Sequence, residues 1–242
     1  MIHLTFDQDW APAWATRCAL EWCLEAGLEP TFFVTHDCSA VRDTAHLSGK
    51  ETGVELGWHP NFLPGSSHGG DMSAVLDFMA ALVPEAVGVR AHTLIRGTPH
   101  LMAYQQRAIR YDASDLHDGV HGLAPFASWT GVLRIPTYFL DDVHLRRGRP
   151  IALDALELGR PGLKVLAFHP VLLALNAVDF KAYEALKADL SSRGVPLTAA
   201  TQQDFAPFRQ SERPGVADLL REVIGYLAVH PSLAGGGLRH VG

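Results

Sequence analysis

Two carboxylates, Asp7 and Asp9, stand two residues apart in the stretch HLTFDQDW, at the end of a run whose other members look buried. Ile2, Leu4 and Phe6 alternate with polar neighbours, the pattern of a strand over residues 2–6. If the chain stays extended through Asp9, the two carboxyl groups share a face roughly 7 Å apart. Like charges that close repel, so either one is protonated or a cation lies between them, and a metal is the commoner way to keep both ionised. The plainer account is a strand end whose Asp caps the next helix. Other reactive residue types recur where apolar runs end: His59 in GWHPN, Arg90 and His92 in GVRAHTL, Asp112 in YDAS, Asp141 and Asp142 in YFLDDVH, His169 in LAFHP. One such histidine alone reads as a hydrogen-bonded structural residue. Their coincidence at successive run ends reads as a site.

The elements that must position these residues alternate in type. After the first strand, residues 11–27 carry helical spacing, and TFFVT at 31–35 is a β-branched and aromatic run. Further strands are expected at 54–56, 87–89, 109–112, 132–135, 165–168 and 195–198, with helices at 72–82, 101–109, 179–190 and 216–228. This alternation specifies parallel strands with helical crossovers, and seven or eight such units suit a (β/α) barrel, with distortion or incomplete closure allowed, better than a flat doubly wound sheet. The first strand is not followed by GxGxxG, which weakens the dinucleotide-binding alternative. In such barrels the active site forms at the C-terminal ends of the strands, where the residues above fall. Residues 61–71 and 117–130 are long turn-rich loops of a kind that often serves function, and the Gly-rich tail after Ser232 is expected to fray.

Composition narrows the class. The 242 residues, 48% apolar, suffice for one large α/β domain spanning 1–242, with a C-terminal helix near 213–230 packed outside. A net charge of −6 without a Lys/Arg run argues against a nucleic-acid partner. No apolar run is long enough to span a bilayer, and the first motif begins too early to leave room for a secretory leader, so a cytoplasmic location is expected. Cys18, Cys23 and Cys38 make a poor disulfide pattern and are expected as free thiols.

At these residues the sequence resembles the NodB-type polysaccharide deacetylases, metal-dependent carbohydrate esterases, over most of residues 2–176. HLTFDQDW is similar to that family's TFDDG, TFFVT to its ATFF strand, ELGWHPN to its second motif, GVRAH to its RxP motif and LAFHP to its closing histidine motif, in matching order. The segments HPNF and RAHTL resemble those of its WbmS-like branch. Three departures stand out. Gln8 splits acids that are adjacent in the family, Trp10 replaces a glycine, and Leu63 stands where the second metal histidine is expected.

The resemblance implies a NodB-type barrel and a divalent cation held by Asp9, His59 and a third ligand. His92 is the first choice because it shares a strand face with Arg90; His68 and Asn61 in the adjoining loop are the alternatives. One carboxylate and two imidazoles suit Zn²⁺, with Co²⁺, Ni²⁺ or Mn²⁺ also accommodated. Asp7 would act as general base, Arg90 would hold it ionised, and His169 would be the general acid, its charge supported by Asp142 or Asp141, with Asp112 a weaker candidate. The implied substrate is an N- or O-acetylated sugar or glycan. Trp58, Phe62, Trp129, Tyr138 and Phe139 flank the motifs as a stacking surface or as plain core. Two other readings compete: an allantoinase-like cyclic amidase on the same scaffold, and an inactive sugar-binding domain suggested by the missing histidine at position 63.

Overall fold

In the computed structural model, which describes residues 1–45 and 53–242, every residue of β1 (Ile2–Asp7) is buried, polar and apolar alike. That pattern belongs to a strand covered on both faces. Ile2, Leu4 and Phe6 join the large core under the helices, whereas His3, Thr5 and Asp7 are buried on the other face.

The chain continues through α1 (Ala13–Glu25), β2 (Thr31–Val34), α2 (Ser39–Ala45), β3 (Glu55–Trp58), α3 (Met72–Leu82), β4 (Gly88–Val89), α4 (Thr98–Gln106) and β5 (Tyr111–Leu116). Then follow β6 (Phe126–Ala127), β7 (Leu133–Thr137), β8 (Phe139–Leu140), α5 (Asp141–Arg146), β9 (Lys164–Phe168), α6 (Pro170–Leu175), α7 (Lys181–Ser192), α8 (Gln202–Phe205) and α9 (Val216–Val229). The strands form one sheet in the order β6-β7-β5-β4-β3-β2-β1-β9-β8. All neighbours are parallel except the short β6, which lies antiparallel on β7. β7 and β8 are one stretch of chain interrupted at Tyr138; β7 pairs with β5 and β8 pairs with β9. The curled sheet therefore meets itself along residues 133–140, giving the distorted, incompletely closed barrel of the NodB type.

The barrel interior is a second, smaller core of Phe33, Tyr111, Ala113, Ile135, Leu163, Val165 and Leu238. Two glycines make room for its rings. A Cβ at Gly88 would lie 1.9 Å from Tyr111 Cζ, and one at Gly57 would lie 2.7 Å from Phe33, so a bulky interior residue on one strand requires glycine on the next.

Two expectations need correction. Residues 195–198 do not join the sheet: Pro196 cannot donate to a ladder, and Leu197–Ala199 forms a single 3₁₀ turn leading to the capping box of Thr201 and Asp204. The tail after Ser232 is docked. Gly235 N donates to Ile2 O at 2.9 Å, Leu238 is 0% exposed inside the barrel, and Arg239 N donates to Glu55 Oε2 at 2.8 Å. The loop 117–130 runs back along the seam, with His117 N on Thr137 O and Leu163 N on Leu123 O. Four short helices, α2, α5, α6 and α8, escape the periodicity, and of these α5 and α6 follow β8 and β9 directly. Among the described residues no helix is long and apolar enough to cross a membrane.

Candidate active site

The interior parity established by Thr5 and Asp7 runs through the neighbouring strands: Gly57 and His59, Gly88 with Arg90 and His92, Ala167 and His169 repeat every second residue. Hydrogen bonds carry the pairing past the formal strand ends, since His59 N donates to Val34 O, Arg90 N to Trp58 O and His92 N to Pro60 O. Asp112 has the opposite parity to Tyr111 and Ala113. It faces away from the barrel interior, where Arg134 Nε lies 3.5 Å from its carboxylate, and it takes no part in the site.

The polar floor of the site is Arg90, 0% exposed. Its NH1 donates to Thr5 Oγ1 at 2.8 Å and to Asp7 Oδ1 at 2.9 Å, its NH2 to Thr137 Oγ1 at 3.2 Å, and its Nε to Ala113 O at 3.3 Å. The guanidinium also lies 4.6 Å from the centre of the Phe33 ring. A buried charge so fully engaged orients Asp7, and losing either partner of the pair would strand the other at a cost of about 3–5 kcal/mol.

Above this floor the chain does not stay extended. Asp9 and Trp10 both adopt left-handed backbone (φ 45 and 57), so the two carboxylates do not share a strand face. Gln8 explains its own presence: its Oε1 accepts from Thr35 N at 2.9 Å and His36 N at 3.1 Å, tying the turn to the end of β2. The turn after β4 repeats the device at Thr93 and Leu94 (φ 55 and 57), and these two turns hold four of the seven non-glycine residues with positive φ among the described residues. Each costs of order 1 kcal/mol, and the strain is concentrated where Asp9 and His92 are aimed. Glycine at position 10, the family residue, would relieve it; Trp10 instead packs its ring 5.2 Å from His92, edge-on.

Three imidazoles converge on Asp9. Its Oδ1 lies 3.0 Å from His59 Nε2 and 2.9 Å from His92 Nδ1, and its Oδ2 lies 3.4 Å from His169 Nε2. Burial pushes the Asp9 carboxyl up, but hydrogen bonds from His169, His59 and His92 outweigh it and hold the group well below the usual carboxylate range. Ligand atoms of Asp9, His59 and His92 all fall within 4.8 Å of one another, and one carboxylate with two imidazoles is a donor set that fits a divalent cation. His59 Nδ1 is buried without a partner; the nearest carboxylate oxygen, Asp7 Oδ1, is 4.0 Å away.

His169 is held from its other side. Asp141 Oδ1 lies 2.5 Å from His169 Nδ1, and Asp141 Oδ2 accepts from His169 N at 2.8 Å. Burial opposes the imidazolium, but the Asp141 carboxylate and then Asp9 overrule it, so the His169 pKa stands well above its ordinary value. Of the two adjacent acids, then, Asp141 meets the histidine. Asp142 accepts from Val143 N at 2.7 Å and lines a cleft of about 220 Å³ together with Asp9, His92 and His169.

The two alternative ligands stand outside the group. His68 Nδ1 accepts from Asn61 N at 3.1 Å, its ring stacks on Phe78 at 4.7 Å, and burial pushes its pKa down to about 4. Asn61 Oδ1 is used by Leu63 N at 3.0 Å. The Ser/Gly-rich loop is thus pinned by a neutral imidazole. The flanking aromatics are elsewhere too. Trp58, Tyr138 and Phe139 are core, Trp129 is 72% exposed, and Phe62 packs on His100. The rings that do line the cleft are Phe180 and Tyr183, joined by Arg146 and Lys187. These sit on or beside helices α5 and α7, so a search of strand ends does not reach them.

A curled parallel sheet with a carboxylate–imidazole group at its C-terminal rim, an Arg–Asp pair beneath it and a His–Asp pair beside it defines a NodB-type deacetylase scaffold. A family model described as WbmS-like polysaccharide deacetylase matches residues 4–187, and the chain belongs to this family. Among solved structures it is similar to one from Bordetella bronchiseptica, assigned as a polysaccharide deacetylase involved in O-antigen biosynthesis. That match has 28% identity and a TM-score of 0.78, covering 93% of this chain and 90% of that one. A structure from Mycobacterium smegmatis, also assigned as a polysaccharide deacetylase, is 14% identical with a TM-score of 0.46, covering 95% of this chain and 90% of that one. Among curated proteins none matches the chain.

Proposed function

We propose that this protein is a divalent-metal-dependent hydrolase that removes an acetyl group from an N- or O-acetylated sugar or glycan. The observation that carries the reading is the convergence of three imidazoles on Asp9 between two preformed polar pairs, Arg90–Asp7 and Asp141–His169. Asp9, His59 and His92 would hold the cation, Zn²⁺ fitting best and Co²⁺, Ni²⁺ or Mn²⁺ also suiting the donors. When bound, such a cation supplies Lewis acidity toward the acetyl carbonyl and makes water easier to deprotonate.

The remaining steps belong to the chain. Asp7, oriented by Arg90, accepts a proton from the attacking water as that water adds to the acetyl carbon. His169 gives its Nε2 proton to the departing amine or alkoxide as the C–N or C–O bond breaks, and acetate is released. Asp141 fixes the ring at Nδ1 and supports its positive charge. A binding-only domain would need neither the general base nor the general acid, and the retention of both pairs supports turnover. The three thiols, all free, support a reducing, cytoplasmic location.

Chelation with verified metal loss, followed by reconstitution with Zn²⁺ or Co²⁺, tests the reading through acetate release from an N-acetylated and an O-acetylated sugar. Loss and recovery of release is expected. Full activity after metal removal overturns the reading, and ring opening of a cyclic amide without acetate release transfers the site to the amidase alternative.

A further inference from the structure

One wall of the cleft is built from helices α5 and α7 and carries two cations. Arg146 ends α5 with its guanidinium carbon 3.7 Å from the centre of the Phe180 ring. Tyr183 stands 5.1 Å from Phe180 at 72°, and Lys187, one turn further along α7, places Nζ 5.3 Å from the Tyr183 ring centre. All four line the same cavity as Asp9, His92, Asp142 and His169.

Neighbouring basic residues are ion-paired. Arg147 and Arg149 both pair with Asp118, at 2.6 and 2.8 Å, and Arg193 pairs with Asp189 and Asp204. Among the described residues, Arg146 and Lys187 have no ion pair. Of the carboxylates that share the cleft, Asp9 is engaged by the three imidazoles, while Asp142, one turn before Arg146 on α5, accepts from Val143 N–H and keeps its negative charge. In a chain of net charge −6, two cations without an ion pair, set against the single acid Asp142, leave this wall of the cleft positive. Stacking on Phe180 holds the guanidinium by its face and leaves its N–H fork free to meet a planar or tetrahedral anion.

We infer that Arg146 and Lys187 form an anion subsite, so that the acetylated sugar carries a carboxylate or a phosphate that docks on this wall while its acetyl group faces Asp9 and His169. The inference rests on the deacetylase reading for the second half of that statement only. The anion contact persists from ground state to transition state, so it acts through KM more than through kcat.

The test uses Zn²⁺- or Co²⁺-loaded protein with three probes: N-acetylglucosamine, the corresponding 2-acetamido hexuronic acid and N-acetylglucosamine 1-phosphate. Wild type is expected to favour at least one charged probe over the neutral one by about tenfold or more in kcat/KM, the scale of a charge-assisted hydrogen bond. That preference should shrink as salt rises. Whichever anion is preferred identifies carboxylate or phosphate. In the double variant Arg146→Gln, Lys187→Gln the ratio should collapse towards one through KM, and Arg146→Lys should restore part of it. Both positions are exposed, and unchanged thermal unfolding would verify that the variants fold. Equal hydrolysis of neutral and charged probes by wild type, or equal slowing of all three in the double variant, overturns the anion subsite while leaving deacetylation standing. If no probe is deacetylated, the deacetylase reading fails, and calorimetric binding decides the subsite alone. Charge-dependent binding lost in the double variant supports it, and charge-independent binding overturns it.

Discussion

The two ends of the barrel are each organised around one carboxylate, and the partners of that carboxylate set what each end can do. At the bottom, Glu55 is 2% exposed and accepts from Thr31 Oγ1 at 2.9 Å, Tyr111 OH at 2.8 Å and Arg239 N at 2.8 Å. All three donors are neutral and hold fixed protons, and the docked tail closes the end. At the top, Asp9 keeps 23% of its side chain exposed, meets three imidazoles and opens on a cleft. Hydroxyl and amide donors make a finished structural joint, whereas imidazoles can change protonation or give a lone pair to a cation. The backbone agrees. Left-handed non-glycine residues cluster at the top turns, and among the described residues none of the seven flanks Glu55.

Exchanging the losses breaks the comparison most sharply. Asp9→Ala should lose metal and with it essentially all turnover. Asp7→Asn should retain metal and lose turnover by about 10²–10⁴-fold, the range of general acid–base catalysis. Metal content and acetate release measured on both purified variants separate the roles, and the reverse pattern would swap base and ligand. Next in size is the bottom joint. Glu55→Ala leaves two buried donors, Thr31 Oγ1 and Tyr111 OH, without their acceptor, at about 1–3 kcal/mol for each, and Leu238→Ala opens a cavity inside the barrel at about 2–5 kcal/mol. Denaturant unfolding should register both losses, while kcat per folded molecule stays within a few-fold of wild type. A large fall in kcat with unchanged stability would mean the two ends are coupled.

How much of this was legible in the sequence follows the same division. The top could be read because its residues sit at strand ends in a fixed order, and HLTFDQDW, GWHPN, GVRAH and LAFHP all arrive at one rim. The pairing of Asp141 rather than Asp142 with His169 could not be read, because it depends on where α5 begins. Asp112 was separable in principle, since its parity opposes that of Tyr111 and Ala113. The bottom was illegible. Glu55 meets Arg239 across 184 residues, and no local pattern announces that a Gly-rich tail will be captured by a barrel. Phe180, Tyr183, Arg146 and Lys187 escaped for a third reason: a helix-borne wall has no motif, only the geometry that brings it over the cleft.

A smaller effect sharpens the assignment of the third ligand. His92→Ala should weaken Zn²⁺ binding by at least the 10–100-fold typical of losing an outer partner of a metal ligand. His68→Ala should weaken it less, because the His68 Nδ1 lone pair already takes the Asn61 N–H. Titration of both apo variants decides between them. A weaker His68→Ala beside a nearly normal His92→Ala would move the ligand to the loop.

The smallest effect concerns pH and separates His68 from the imidazoles around Asp9. Burial holds the folded His68 pKa at about 4, below the value near 6.5 of an unfolded histidine. Between these values the unfolded chain binds the extra proton and the folded chain does not, so this residue's contribution to stability is complete above about pH 6.5 and is lost as pH falls toward 4. The slope from one such site is at most about 1.4 kcal/mol per pH unit. His68→Gln keeps an acceptor for Asn61 N and removes the titration. It should therefore be less stable than wild type at neutral pH, and the gap should narrow steadily from pH 6.5 downward. Denaturant midpoints measured on metal-free protein from pH 7.5 to 4.5 would read it directly. A gap that stays constant would mean that His68 takes up a proton without opposing the fold, and the loop of residues 61–71 would then be held by the packing of the His68 ring on Phe78 and Trp10, at 4.7 and 5.7 Å, whatever its charge.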